Sequence, residues 1–220
     1  MTQQPIREAH KDLRESVGHS CGKVMLFGEY SVLESYPSLL IGSPQQAKAS
    51  YRELDDLRGL SKRDHSLREL LSMGVNEGVE PLYLIHGYQW GWSLIGQYSH
   101  GRGWKTLGAQ FKFIEEALLT LRAPFGVYTI DTRKFGVERE GIWTKMGIGS
   151  SGASTVAVVD LLSQLSAHIL TEEPQKLRDP YQRFLITREL HHRVQGGLGS
   201  GADVAASSFG GLIEYKLSPK

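Results

Sequence analysis

"KMGIGSSGAS", residues 145–154, runs straight into the apolar stretch "STVAVVDLLSQLSAHIL" of residues 154–170. It reads as a glycine and hydroxyl loop emptying into a helix, and two phosphate-binding patterns overlap on it. Gly147, Gly149 and Gly152 have the spacing of the dinucleotide fingerprint. That pattern requires a buried strand ahead of it and an acidic residue about 20 positions further on. The preceding "EREGIWTK" is not a convincing buried strand, Asp160 lies inside the helix and Asp179 is too distant. Gly147 and Gly152 also satisfy the glycine spacing of a P-loop, but Ala153 stands where that motif needs lysine. What survives is the physics both patterns share. Glycines let the backbone approach a ligand, and the exposed N–H groups of a helix start attract phosphate. Ser150 and Ser151 add hydroxyls able to ligate Mg²⁺ or a phosphate oxygen. A capped helix start packed tightly on its neighbours accounts for the same residues.

Outward from this loop, the 220 residues suffice for one sizeable domain, and 40% apolar against 22% charged residues indicates a globular chain. The net charge of +1 gives no reason to expect a nucleic-acid partner. Cys21 is the only cysteine, which excludes an internal disulfide and a cysteine-rich zinc site. The polar opening "MTQQPIREAHKDLRES" lacks the apolar core of a signal peptide. No run of about 18 apolar residues suggests a membrane span. The expectation is a cytoplasmic protein with no membrane partner.

Strands and helices alternate along the chain. Residues 1–20 read as a lead-in, and 21–220 as a single domain. "KVMLFG" (23–28) and "SLLIG" (38–42) predict two short strands flanking a loop. Residues 53–73 carry leucines at helical spacing, and "LYLIH" (82–86) predicts a strand. The aromatic and glycine-rich 86–104 predicts a structured excursion. Residues 106–121 place Leu107, Phe111, Ile114, Leu118 and Leu121 on one helical face, and "GVYTIDT" alternates like a half-buried strand. Asp179-Pro180 predicts a helix start, with the stop at Gly196-Gly197. His191 and His192 are adjacent on that helix and read as surface residues, not a metal site. A small-residue helix in "GADVAASSFGG" and a strand in "LIEYKL" close the chain.

Two further loops carry chemistry. "CGKVMLFGEYSVLESYP" opens with Lys23 beside a glycine and turns at Gly28-Glu29-Tyr30. An exposed lysine and an ordinary turn explain these just as well. "QGGLGSGADVAASSFGG" surrounds Ser200 and Asp203 with glycines, as if a ligand or another backbone came very close. Asp203 can equally be a first-turn carboxylate facing the helix dipole.

Taken together and in order, "GKVMLFGEYSVLESYPSLL", "KMGIGSSGASTVAVV" and "GSGADVAASSFGG" resemble the GHMP kinases, the superfamily of galactokinase, homoserine kinase, mevalonate kinase and phosphomevalonate kinase. The second stretch is similar to that family's "GLGSS" motif, with Ile148 for leucine and Gly152 for alanine. "GEYSVLE" and "GSGADVAAS" look most like phosphomevalonate kinases. The resemblance implies an α+β fold of the ribosomal protein S5 domain 2 type with a left-handed βαβ crossover, the N-terminal GHMP kinase domain. The family's C-terminal domain is expected to be missing, so that the chain is truncated or its second half comes from another chain or a homodimer.

The resemblance further implies transfer of the ATP γ-phosphate to a small acidic acceptor such as phosphomevalonate. Gly147, Gly149, Ser150, Ser151 and Gly152 would bind the ATP phosphates, with Ser150 or Ser151 facing Mg²⁺. Asp203 would be the catalytic carboxylate and Lys23 the lysine that offsets negative charge. Glu29, Tyr30 and Ser200 would contact the acceptor. Mevalonate kinases carry a Mg²⁺-binding glutamate 11 residues before the catalytic aspartate. Here that position is His192, which argues against mevalonate kinase itself. A sugar or mevalonate kinase, or a non-catalytic nucleotide-binding fragment, are the alternatives.

Overall fold

The computed structural model describes residues 16–54, 61–99, 101, 103–165 and 174–217. Its spine is β2 (Ser38–Arg52), 15 residues long. Along one edge β2 pairs antiparallel with β1 (Val17–Phe27). Along the other it pairs with β6 (Gly126–Asp131) at residues 48–52 and with β9 (Leu212–Tyr215) at residues 38–41. Strands β3 (Val79–Gly87), β4 (Gly91–Tyr98) and β5 (Trp104–Gly108) extend the sheet in the order β1-β2-β6-β3-β4-β5. The β3–β6 pair is parallel, and the other ladders of this sheet are antiparallel. A separate hairpin joins β7 (Gly136–Arg139) to β8 (Ile142–Lys145). The mixed α+β expectation holds.

Period-two alternation assigns the two sheet faces. Tyr83, Ile85, Ile95, Tyr128 and Ile130 face a core shared with α2 (Lys112–Thr120) and α3 (Ser150–Gln164). Their neighbours Leu84, Leu94 and Val127 face the opposite side, against Leu67 and Leu70 of α1 (His65–Asn76). Helices α4 (Pro180–Val194) and α5 (Ala202–Phe209) complete the layer around α3. Because α3 lies between the sheet and other helices, it is apolar on nearly every side and buries Ala153, Val156 to Val159, Leu161 and Leu162. A Cβ at Gly18 would overlap Ala157 O, so this helix rests directly on the backbone of β1. Among the described residues no helix is long and apolar enough to cross a membrane.

Several boundaries differ from the sequence expectation. The first strand begins at Val17, inside the stretch read as lead-in, and residues 1–15 lie outside those described. Residues 104–108 are strand, not the start of a helix. Gly108 has φ 83° and packs against Trp92 O, and Leu107 is buried on the α1 side of the sheet. Of the expected 53–73 helix, residues 65–76 form α1, and 55–60 lie outside the description. For the expected 154–170 helix, α3 runs from Ser150 to Gln164, and 166–173 lie outside. The α4 boundaries match expectation: the Asp179 carboxylate caps the helix by accepting from Gln182 N–H at 2.7 Å, with Pro180 following.

Candidate active site

The loop before α3 carries two left-handed glycines, Gly147 (φ 74°) and Gly149 (φ 78°). The second is the helix N-cap and offers no side chain to cap it. The first intrahelical bond comes from Ala153 N–H to Gly149 O at 3.1 Å, so the amides of Ser150, Ser151 and Gly152 precede the ladder. Ser154 Oγ donates back to Ser150 O at 2.8 Å, and Thr155 Oγ1 to Ser151 O at 2.8 Å. Among the described residues no hydrogen bond engages the Ser150 or Ser151 hydroxyl. A helix mouth with free amides, free hydroxyls and glycine backbone can receive an anion.

Two residues from distant parts of the chain converge on this turn. The β1–β2 ladder shifts register between Cys21 and Lys23, and Lys23 N–H turns to Ile148 O at 2.8 Å. The Lys23 side chain then crosses Gly149, where a Cβ would lie 2.9 Å from its Cγ and 3.4 Å from its Cε. Asp203, in the first turn of α5, comes to the next position of interest. A Cβ at Gly152 would lie 3.1 Å from Asp203 Oδ2. The other oxygen, Oδ1, accepts from Val204 N–H at 2.9 Å, and the side chain is 23% exposed. The helix mouth therefore has a cation beside Gly149 and a carboxylate beside Gly152.

Two cavities flank this arrangement. The first, about 320 Å³, is lined by Ser150 and Ser151 together with Trp90, Phe111, Phe113 and Lys145. The Lys145 ammonium sits 5.1 Å from the Trp90 ring centre, and Trp143 meets Trp90 edge-on. The second, about 710 Å³, is lined by Leu33, Glu34, Ser35, Arg188, His192 and Ser200 among others. Ser200 Oγ accepts from Ala202 N–H at 3.3 Å, and Ser200 O accepts from Tyr215 Oη–H at 2.7 Å. The Arg188 stem crosses Gly201, and its guanidinium lies 5.9 Å from the Phe184 ring centre and interacts with the Tyr215 hydroxyl at the cavity wall. Burial raises the Tyr215 phenol above its ordinary value, and Arg188 works against that shift. Glu29 and Tyr30 are exposed in the turn after β1, Tyr30 at 79%. Their near neighbours Leu33 to Ser35 line the second cavity instead.

The pair His191–His192 splits across α4. His192 Nδ1 lies 3.0 Å from Gly199 O. His191, expected at the surface, is buried at 1% exposure because α4 turns it inward against Phe113 and Asp203. Among the described residues no cluster of three or more His, Cys, Asp or Glu side chains could hold a metal. Sequence reasoning singled out Lys23, the loop and Asp203 through the resemblance of three ordered motifs, and the structure brings these three together. It did not single out the cavity-lining Trp90, Lys145 and Arg188 or the burial of His191, which no local motif marks.

Residues 112–211 match the family model of the GHMP kinases N terminal domain. No curated protein matches the chain. Among solved structures, the fold is similar to that of a Lin0012 protein from Listeria innocua, with 20% identity and a TM-score of 0.57 over 91% of this chain and 48% of that one. It is similar also to Streptococcus pneumoniae phosphomevalonate kinase in complex with phosphomevalonate and AMPPNP, at 20% identity and a TM-score of 0.50 over 87% and 46%. L. major mevalonate kinase in complex with R-mevalonate shares 19% identity and a TM-score of 0.50 over 91% and 48%. The chain thus spans about half the length of these structures.

Proposed function

We propose that this chain, whose residues 112–211 match the family model of the GHMP kinases N terminal domain, takes part in transferring the ATP γ-phosphoryl group to a small anionic acceptor of the phosphomevalonate type. The observation that carries this reading is the convergence at one helix mouth. Free α3 amides, the Lys23 side chain across Gly149 and the Asp203 carboxylate over Gly152 come from three separate segments. In the reaction the acceptor oxygen forms a bond to the γ-phosphorus as the bond to the ADP oxygen breaks. Phosphoryl transfer passes through a loose transition state, so positioning and charge neutralisation do most of the work. The α3 amides hold the phosphate oxygens, Lys23 offsets the charge, and Asp203 orients the attacking oxygen and takes its proton where it has one.

The first cavity suits the nucleoside: aromatic walls from Trp90 and Phe111 offer stacking surface, and Ser150 and Ser151 continue to the phosphates. Mg²⁺ neutralises phosphate charge in such reactions, and the unengaged Ser150 and Ser151 hydroxyls are the groups that would hold it alongside the phosphates. The second cavity suits the acceptor, and Arg188 is the feature that favours an anionic one, since a guanidinium pairs with phosphate or carboxylate in a fork. Ser200 lies in the same wall, three residues before Asp203.

The deciding experiment measures ADP release with phosphomevalonate, mevalonate and a neutral sugar in parallel. Turnover with phosphomevalonate well above the other two is expected. A preference for the sugar would remove the anionic-acceptor reading, and ATP binding without turnover on any acceptor would reduce the chain to a nucleotide-binding unit.

A further inference from the structure

His191 has chemistry that the proposed reaction has not used. Its ring stacks on Phe113 with centroids 4.4 Å apart and planes at 19°, and Phe113 is itself in the wall of the first cavity. Neither ring nitrogen makes a hydrogen bond of good geometry, and the Gln195 side chain is the neutral polar group that approaches the ring. A ring so placed loses its water on burial and gains little in return, so native proteins seldom keep one without a use for it. Nε2 lies 3.8 Å from Asp203 Oδ2. That is beyond hydrogen-bond range by about 0.6 Å. Oδ2 is the same oxygen that faces Gly152, while Oδ1 is held by Val204 N–H.

We infer that His191 is a positioning residue for Asp203: a ring clamped by Phe113 aims its Nε2–H at Oδ2 and closes onto it when the site fills. The inference rests on the kinase reading of Asp203. Catalytic hydrogen bonds are often long in empty sites and tighten around substrate, so the observed separation suits this role. Burial pushes the imidazole below its ordinary value, against the opposing pull of Asp203 and a weaker one from the Gln195 side chain. The ring is therefore neutral at pH 7, a donor and not a second cation beside Lys23.

Asp203 also acts on the Tyr215 phenol, which Arg188 of α4 contacts, and most other charges on the packed elements are paired with one another. Asp203 of α5 is the charged group that acts on the ring. From α2 the ring meets Phe113, and Glu116 is paired with Arg193 at 3.1 Å. From α3, Asp160 is paired with Arg183 at 3.3 Å. On α4 itself, Glu189 contacts Arg193, and His192 turns to Gly199 O.

The first test follows the His191 titration by NMR in the 220-residue chain and in Asp203→Asn. Losing the neighbouring carboxylate charge lowers the imidazole pKa. Coincident titration curves overturn the inference, whether or not the chain is an active kinase. The second test is kinetic. His191→Phe keeps the stack but removes the donor, so kcat falls about 10-fold with both KM values unchanged. His191→Gln restores an N–H and recovers most of that loss. Wild-type turnover in His191→Phe overturns the inference, as does a His191→Gln variant no better than His191→Phe. A wild-type chain with no phosphoryl transfer at all sinks the kinase reading and the positioning role with it, a result distinct from coincident titration curves.

Discussion

Replacing Gly149 by alanine separates two costs that the loop geometry superimposes. The first is backbone strain: at φ 78° an L-residue pays about 1–2 kcal/mol. For a chain of this size that lowers Tm by about 2–8 °C. The second is displacement of Lys23, because the new Cβ would come within 2.9 Å of Lys23 Cγ. A flexible side chain moves aside at little cost in stability, but it leaves the helix mouth. Losing its charge-assisted contact to phosphate weakens nucleotide binding about 10- to 100-fold. Gly147→Ala is the control. Its φ of 74° imposes similar strain, and a Cβ there meets nothing within 4 Å. Thermal melts should give the two variants similar losses. Fluorescence titration with an ATP analogue, repeated in a Lys23→Ala background, then isolates the second cost. There the affinity effect of Gly149→Ala should largely vanish, giving a coupling energy of at least about 1 kcal/mol, while Gly147→Ala shows none. Additive effects of Gly149→Ala and Lys23→Ala would refute the placement of the Lys23 ammonium at the nucleotide phosphates.

Three other outcomes are expected. Asp203→Asn should lower kcat by about 10²–10⁴ with nucleotide affinity retained, and near-wild-type turnover would remove Asp203 from the mechanism. Arg188→Gln should raise KM for an anionic acceptor about 10- to 100-fold and leave KM for a neutral acceptor unchanged; equal effects on both would move the acceptor out of the second cavity. Asp64 caps α1, and the Ser66 hydroxyl, with the Trp92 indole and Leu67 N–H, lowers its carboxyl to about 2 from an ordinary 3.8. Because the folded value is the lower one, its stabilisation is full above about pH 4 and disappears as pH falls through 2. Asp64→Ala should therefore cost about 1 kcal/mol at pH 7, and its deficit relative to wild type should close on acidification over that window.

What could be read from the sequence was local. The loop at 147–152, Lys23 and Asp203 stand out because glycine, a helix start and an isolated charge leave marks within a few residues. The ends of α4 were marked by Asp179-Pro180 and Gly196-Gly197 for the same reason. The length of β2 was hidden. Only 38–42 read as a strand, whereas in the fold β2 continues past Gly42 to Arg52 with a register shift against β1. Gly42 is needed there because a Cβ would lie 2.9 Å from Gly210 Cα, and its N–H pairs with Gly211 O at 2.8 Å. Arg188 and His191 were hidden differently. Polar residues on a half-polar helix announce solvent, and only the packing of α4 against α2 and α5 turns one toward a cavity and buries the other.

The same contacts hold the fold and set the site. Lys23 reaches the loop because β1 is fixed beneath α3 at several points: Gly18 under Ala157, His19 N–H to Asp160 Oδ2 at 3.0 Å, and Ser20 Oγ to Ala153 O. Asp203 reaches the next turn because α5 packs on both α3 and β1. The backbone places both side chains before any partner aims them: Val204 N–H then holds one Asp203 oxygen. Among the described residues Lys23 forms no ion pair with Asp203, and one carboxylate oxygen stays directed at Gly152. In a reaction that depends on placement, a 1 Å error can cost about 100-fold in rate. The buried, side-chain-poor seam between β1, α3 and α5 is consequently where precision has to originate. Small residues dominate it because each methyl added there would translate into a displaced lysine or carboxylate at the helix mouth.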